Sequence, residues 1–288
     1  MTEAATDGDV AALLCGSRVL FAYGLLGEVV ATFGRFGIDY MGAQRDWLLG
    51  LGVPAEVVPV PTGAPVLANA LRLGAALTAD PRPAVLVAHS KGGLEALAAL
   101  LDPKALGYCR ALIAFQSPFF GSPVADALVK AGPLHRAAGG ILRALRLGDG
   151  EGLRDLTTTT RTAWMQAHAE AVAELPRRLP ILCCASRLEP GTARGPDRRY
   201  LPLVRWIERR GGGPNDGLVP VASALLPGAR HLVLPGGHRA LVATGRWSPP
   251  GRAAIPWAPC GERWRWRLAE PRPGMDTQAC WWGESGRD

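Results

Sequence analysis

The stretch VLVAHSKGGLEAL, residues 85–97, decides how this chain is interpreted. An apolar run ends at Ser90, and a helix-forming sequence follows directly. A serine in the pattern G-x-S-x-G, between a strand and a helix, is held on a strained turn that exposes its hydroxyl. Ala88 stands here in place of the first glycine, and Gly92 keeps the second. Alanine adds only one methyl group, so the pattern stays sterically plausible. Its placement between a predicted strand and a predicted helix predicts that Ser90 is a nucleophile rather than one more small residue at a turn.

The rest of the chain alternates short apolar runs with longer amphipathic segments. Several runs are apolar at successive residues, as in strands buried on both faces of a parallel sheet. Apolar residues recur at helical spacing in residues 64–80 and 93–102. This alternation predicts an α/β fold with helices on a mostly parallel central sheet. The predicted strands are residues 18–23, 55–60, 84–89, 111–115, 180–186 and 230–234.

Two segments interrupt this alternation. Residues 122–179 contain two amphipathic stretches and no clear strand, which predicts a helical cap over the carboxyl edge of the sheet; an ordinary pair of packing helices is the alternative. Residues 245–288 hold six of the nine tryptophans and six prolines without a sustained period. We expect an irregular or disordered extension there, with an aromatic and arginine-rich surface for a partner as the alternative. Residues 1–244 are predicted to form the main domain.

Composition argues against several classes of protein. The net charge is +7, but the arginines form no long basic run, so we expect no nucleic-acid partner. The six cysteines lack metal-site spacing, and we expect neither a metal nor a cofactor. The acidic first ten residues do not resemble a secretory signal. No apolar run reaches the roughly 18–20 residues of a membrane span, so a cytoplasmic protein is predicted.

A serine nucleophile needs a base that removes its proton and an acid that orients the base. His238 lies on a glycine-rich loop just past the last predicted strand, where it can reach Ser90. The other four histidines have other predicted places: one adjoins Ser90 and is expected to point away, one opens a strand, and two lie in residues 122–179. Asp216 lies on a polar loop 22 residues before His238 and is the predicted acid. Asn-Asp-Gly is also a turn signal, and Glu189 and Asp197 are the rival acids.

The oxyanion of a tetrahedral intermediate needs two backbone N–H donors. One is predicted to be the N–H of Lys91, the residue after the nucleophile. The other should follow an early strand, and Tyr23-Gly24-Leu25 after the first predicted strand indicates the N–H of Leu25. We expect the side chain of Lys91 to be solvated.

Taken together, these segments resemble the α/β-hydrolase superfamily, and within it bacterial triacylglycerol lipases and related esterases. VAHSKGG is similar to the lipase elbow, and AYGLLG lies where the family has its oxyanion motif. QSPFFGSPVAD (116–126), NDGLVPVAS and the later GGH are similar to further family segments, the last two to the acid and histidine loops. Tyr23 and Phe119 replace histidines that are common in the family, and no calcium ligands can be matched. The likeness spans residues 18 to about 244.

The resemblance implies a serine hydrolase that cleaves carboxylic esters through an acyl-enzyme. The apolar cap predicts a small-molecule ester with a medium or long acyl chain as substrate, and a transient contact with a lipid interface. A thioesterase, a polyester depolymerase and an acyltransferase are alternatives within the same fold. A non-catalytic binding protein on this scaffold is the alternative from another class, but such a protein does not need a complete triad.

Overall fold

The computed structural model describes residues 6–24, 38–61, 63–130, 151–191 and 193–245. Within these ranges the chain forms two β-sheets. The strands of the larger sheet are β1 (Arg18–Ala22), β3 (Ala55–Val57), β4 (Ala84–His89), β5 (Cys109–Phe115), β6 (Ile181–Arg187) and β7 (Arg230–Pro235). Their order is β3-β1-β4-β5-β6-β7, and every neighbouring pair is parallel.

The smaller sheet pairs β2 (Ile38–Tyr40) with β8 (Ala243–Gly245) in antiparallel orientation. Helices connect and cover the strands. In the described residues they are α1 (Asp7–Leu13), α2 (Gly42–Gly50), α3 (Val66–Thr78), α4 (Lys91–Ala99), α5 (Pro103–Gly107), α6 (Pro123–Lys130), α7 (Glu151–Arg154), α8 (Thr158–Ala167), α9 (Ala169–Arg178) and α10 (Leu201–Glu208). Two short 3₁₀ helices, Gly195–Tyr200 and Val221–Ala224, precede α10 and β7.

The central strand β4 shows why the sheet is buried on both faces. Ala84, Leu86 and Ala88 belong to a core cluster with α3 and α4. Val85 and Val87 belong to a second cluster on the opposite face, which includes Leu48 of α2 and Met41. Successive strand residues point to opposite faces, so an uninterrupted apolar run is what a strand between two helical layers requires.

The predicted α/β fold with a parallel central sheet is confirmed, and all six predicted strands are present. The pair β2 and β8 was not predicted, because three-residue strands carry too few residues for a period to be recognised. Among the described residues, no helix is long and apolar enough to cross a membrane.

The predicted cap, residues 122–179, is described only in part. Its described portion contains α6, α7, α8 and α9 and no strand. Val172 and Leu175 of α9 pack into the same core cluster as α3 and α4, so α9 lies against the sheet before β6 begins. Residues 131–150 and nearly all of the C-terminal extension, residues 246–288, lie outside the described residues.

Candidate active site

The turn at Ser90 has a backbone conformation that few residues other than glycine adopt. Ser90 has φ 53° and ψ −124°, between the end of β4 and the start of α4, and its N–H donates to the carbonyl of Phe115 at 2.9 Å. A Cβ on Gly92 would lie 2.4 Å from the carbonyl oxygen of Ala22 in β1, so only glycine fits there. The methyl group of Ala88 is fully buried in the core and is accommodated. The turn therefore depends on its second glycine and tolerates alanine at the first position.

Ser90, Asp216 and His238 are brought together although they lie on three separate loops. Nε2 of His238 is 3.0 Å from Oγ of Ser90, and Nδ1 is 2.9 Å from Oδ2 of Asp216. Asp216 is 1% exposed and His238 is 6% exposed. Since a carboxylate can only accept, the Nδ1–H of His238 donates to Asp216, and Nε2 faces the serine hydroxyl as an acceptor. This tautomer suits removal of the Ser90 proton by His238.

The loop that carries Asp216 is held by its own side chains. Oδ1 of Asp216 accepts from the N–H groups of Leu218 and Val219, at 2.9 and 2.8 Å. Oδ1 of the neighbouring Asn215 accepts from the Gly217 N–H at 2.9 Å. The predicted acid, Asp216, is thus also part of the Asn-Asp-Gly turn that the sequence indicated. One carboxylate oxygen fixes the turn, and the other is left for His238.

The rival acids lie elsewhere. Glu189 is half exposed and pairs with Arg187 at 3.2 Å, as expected of a surface ion pair. Asp197 is partly buried, and its Oδ2 accepts from the Gly237 N–H at 3.2 Å. Burial raises the pKa of Asp197, and the Gly237 N–H opposes that rise. Asp197 therefore contacts the backbone of the loop that carries His238, whereas Asp216 contacts the imidazole.

The predicted oxyanion donors can be placed only in part. The N–H of Lys91 opens α4 beside Ser90, and the first amides of a helix lack an intrahelical acceptor. Leu25 lies outside the described residues. Its neighbour Gly24 approaches the nucleophile so closely that a Cβ there would lie 2.7 Å from Cβ of Ser90. The end of β1 thus runs directly past Ser90.

The expectation that the Lys91 side chain is solvated is wrong. It is fully buried, and its Nζ pairs with Oε1 of Glu95, one turn later on α4. Nδ2 of Asn69 on α3 also donates to that oxygen at 2.7 Å, and to the carbonyl of Pro61 at 2.9 Å. The helix packs so closely on α3 that a side chain at its first position points into the protein. A carboxylate four residues after a lysine is the sequence signal for such a pair.

Two buried residues beside the site were not predicted to belong to it. His89 was expected to point away from Ser90, and no role beside the base was predicted for it. Its ring centroid lies 4.9 Å from that of His238, and its Nε2 is 2.8 Å from the His238 carbonyl oxygen. Burial, with a smaller contribution from His238, holds the pKa of His89 well below its ordinary value. Gln116, at φ 50°, follows β5, and its Nε2 donates to the Gly237 carbonyl at 2.9 Å. A lone polar residue at the end of an apolar strand was the available signal.

In the part of the chain that the structure describes, no three or more His, Cys, Asp or Glu side chains gather as a metal site would require. Comparison with models of known protein families gives no match, and neither does comparison with curated protein sequences.

Comparison with solved structures does give matches. A mature lipase of Bacillus licheniformis is 21% identical, with a TM-score of 0.59 over 77% of this chain and 84% of its own. A metagenomic carboxyl esterase is 21% identical, with a TM-score of 0.60 over 83% of this chain and 70% of its own. Lipase 1 of Pelosinus fermentans is 12% identical, with a TM-score of 0.53 over 78% of this chain and 93% of its own. At these identities the likeness establishes the architecture, and the chain has the α/β-hydrolase fold.

Proposed function

We propose that the protein is a serine hydrolase that cleaves carboxylic esters. The observation that carries the proposal is the line of contacts from Asp216 through His238 to Ser90, with the serine on a strained strand-to-helix turn. Nucleophile, acid and base also follow each other along the chain in the order found in α/β hydrolases. The lipases and esterases among the structural neighbours support the same class of reaction.

The proposed reaction has two halves. Oγ of Ser90 attacks the ester carbonyl while Nε2 of His238 takes the hydroxyl proton, and Asp216 stabilises the imidazolium that forms. The N–H groups of Lys91 and Leu25 hold the oxyanion. The intermediate then collapses: the bond to the alkoxide breaks, His238 donates its proton to that oxygen so that an alcohol leaves, and the acyl group stays on Oγ of Ser90 as an acyl-enzyme. Water activated by His238 attacks the acyl group and releases the acid and free Ser90.

The proposed substrate is a small-molecule ester with an apolar acyl chain. The amphipathic sequence of residues 122–179 supports this proposal, because we propose that this segment forms a cap that covers the acyl group. Leu67 and Leu71, one turn apart on α3, are 65% and 71% exposed, so one face of this helix offers apolar surface to a lipid interface. The cytoplasmic location and the irregular C-terminal extension stay predictions.

The test is labelling with a fluorophosphonate probe and hydrolysis of p-nitrophenyl esters. The wild-type protein should be labelled, and Ser90→Ala should lose the label and about 10⁶-fold in kcat. Labelling that persists in Ser90→Ala would assign the nucleophile elsewhere. A wild-type protein that is folded but neither labelled nor active would favour the binding-protein alternative.

The chain length of the ester tests the acyl site. Each methylene buried in an apolar pocket contributes about 0.8 kcal/mol, up to about fourfold in kcat/KM. Esters of about eight carbons should therefore exceed acetate by a wide margin if the cap covers the acyl group. A flat or falling series would point to a small or non-lipid ester.

A further inference from the structure

The segment that carries His238 is held through its main chain by three side chains. Nε2 of His89 donates to the carbonyl of His238 at 2.8 Å. Nε2 of Gln116 donates to the carbonyl of Gly237 at 2.9 Å. Oδ2 of Asp197 accepts from the Gly237 N–H at 3.2 Å. The backbone of two successive residues, Gly237 and His238, is thus bonded at three successive peptide units to side chains from three other parts of the chain.

The two donors lie at the ends of the two central strands of the larger sheet, β4 and β5. His89 ends β4 and pairs in register with Phe115, the last residue of β5. Gln116 follows Phe115, and its N–H continues the sheet ladder by donating to Cys184 of β6 at 2.7 Å. Its side chain also donates to Oγ of Ser186, on β6. The exposed fractions of His89 and Gln116 are 2% and 0%.

The held segment needs such support because of its own sequence. It follows the edge strand β7, and Gly236 and Gly237 precede His238. Glycine leaves the main chain more conformational freedom than any other residue. A base on such a loop keeps its place only if its peptide units are bonded to something less mobile.

We propose that His89 and Gln116 are positioning residues that hold the His238 loop, so that the imidazole stays within reach of Ser90 and Asp216. The inference rests on the proposed function, because it assigns His238 as the base. Neither residue touches the hydroxyl of Ser90 in the contacts described above. They act through the backbone of Gly237 and His238. They fix the position of the backbone from which the imidazole extends, and they do not set the protonation state of the ring.

If one of these hydrogen bonds to the loop is removed, the imidazole can move out of its position between Ser90 and Asp216. Misplacement of a reacting group by about 1 Å can cost on the order of 10²-fold in rate. Substrate binding does not need the imidazole, so KM should change little. The expected pattern is a loss in kcat with KM nearly unchanged, which a general loss of folded protein would not produce.

The test compares three substitutions of histidine. His89→Phe keeps a ring but removes the donor, and its kcat for a soluble p-nitrophenyl ester should fall roughly 10- to 100-fold with KM within about twofold. His89→Gln restores an N–H and should recover most of that loss. His231→Phe is the matched control, because Nε2 of His231 also lies 2.6 Å from a backbone carbonyl, that of Leu226, away from the site. Its kcat should stay at the wild-type value.

A second readout does not need turnover. The N–H proton that His238 shares with Asp216 should give a downfield NMR resonance in the wild-type protein. That resonance should broaden or exchange faster with water in His89→Phe and stay sharp in His231→Phe. Gln116→Met should behave like His89→Phe. In the double variant the loss should be smaller than the product of the two single losses, since both residues hold one loop.

The outcomes separate this inference from the proposed function. Wild-type kcat and an unchanged resonance in folded His89→Phe and Gln116→Met would overturn the inference and leave the function standing. A loss in His89→Phe that His89→Gln does not recover, with equal loss in His231→Phe, would also overturn it. A wild-type protein no more active than Ser90→Ala would instead overturn the proposed function.

Discussion

Two buried acid–base pairs lie beside Ser90, and they differ in whether one of their atoms faces the serine hydroxyl. Asp216 and His238 are joined at 2.9 Å, and the second ring nitrogen of His238 faces the hydroxyl of Ser90. Lys91, the residue after Ser90, is paired with Glu95, and the same carboxylate oxygen accepts from Asn69. The described contacts of this second pair all lie within α4 and with α3. The side chain of Lys91 therefore has a structural partner, although the residue is adjacent to the nucleophile and its backbone N–H is a proposed oxyanion donor.

The pairs also differ in how their carboxylates are solvated by the protein. Asp216 has two backbone N–H donors besides His238. Glu95 has Lys91 and Asn69, yet burial outweighs both and raises its pKa above the ordinary value. We infer that the first pair supports activity and the second the folded state, and each prediction below separates these two roles.

The largest effect is expected for the acid. Asp216→Asn should leave the fold intact and lower kcat by roughly 10⁴, because the imidazole loses its orientation and the partner of its positive charge. Steady-state kinetics on a soluble ester measures this. Glu189→Gln is the matched control, since this carboxylate follows β6 but pairs with Arg187 at the surface, and it should stay within about tenfold of wild type. An essential Glu189 with a tolerant Asp216 would reverse the assignment.

The second pair should show the opposite pattern. Glu95→Leu leaves the Lys91 ammonium buried without its carboxylate, which should lower the free energy of unfolding by about 3–5 kcal/mol. The kcat of the protein that remains folded should change by less than about tenfold. Urea unfolding followed by circular dichroism measures the first quantity.

Two controls define that result. Lys91→Met together with Glu95→Leu removes both charges and keeps the backbone N–H of Lys91, so it should recover much of the lost stability. Glu174→Leu breaks an exposed pair with Arg177 and should cost less than about 1 kcal/mol. If Glu95→Leu were as stable as Glu174→Leu but inactive, the pair of Lys91 and Glu95 would support activity rather than the folded state, contrary to this prediction.

The smallest effect concerns the residue on the other side of Ser90. The pKa of His89 lies well below its ordinary 6.5 in the folded protein, chiefly through burial. Below pH 6.5 the unfolded chain therefore binds a proton at this histidine that the folded protein does not, so folding stability is lost as the pH falls. Between pH 7.5 and 5.5 this single group should lower the free energy of unfolding by up to about 1.4 kcal/mol, the limit for a histidine that stays neutral in the folded protein.

The measurement is the difference between wild type and His89→Phe in urea unfolding at both pH values. The variant lacks the titrating group, so its stability should decline less over this interval by about that amount. Parallel declines in the two proteins would mean that His89 is protonated as readily in the folded state as in the unfolded chain. Taking the difference removes the contributions of the other titrating groups.

Residue patterns of short range predicted much of this molecule. The apolar runs predicted the parallel strands, because a strand buried on both faces is apolar at successive residues whichever elements cover it. The placement of Ser90 between strand and helix predicted its turn. The Lys91 side chain was misjudged, and the contacts of His89 and Gln116 with the His238 loop were missed. Their surroundings are set by contacts with Glu95, His238 and Gly237, and only the first of these partners is near in sequence. The direction of such side chains depends on how helices and loops pack, which local patterns do not record.

The distance along the chain between Ser90 and His238, 148 residues, also bears on how activity is acquired during synthesis. The first 115 residues include four strands of the larger sheet, β1, β3, β4 and β5, together with Ser90 and its turn. By contrast, β7 forms the outer edge of this sheet and leads into the His238 loop. Contacts between distant residues form late, because the loop they close is costly in entropy. A nascent chain of which only the first half has been synthesised contains Ser90 but lacks His238, the proposed base. Recovery of the proposed ester hydrolysis during refolding should thus follow the docking of the last edge strand, and it should lag behind the recovery of the circular dichroism signal.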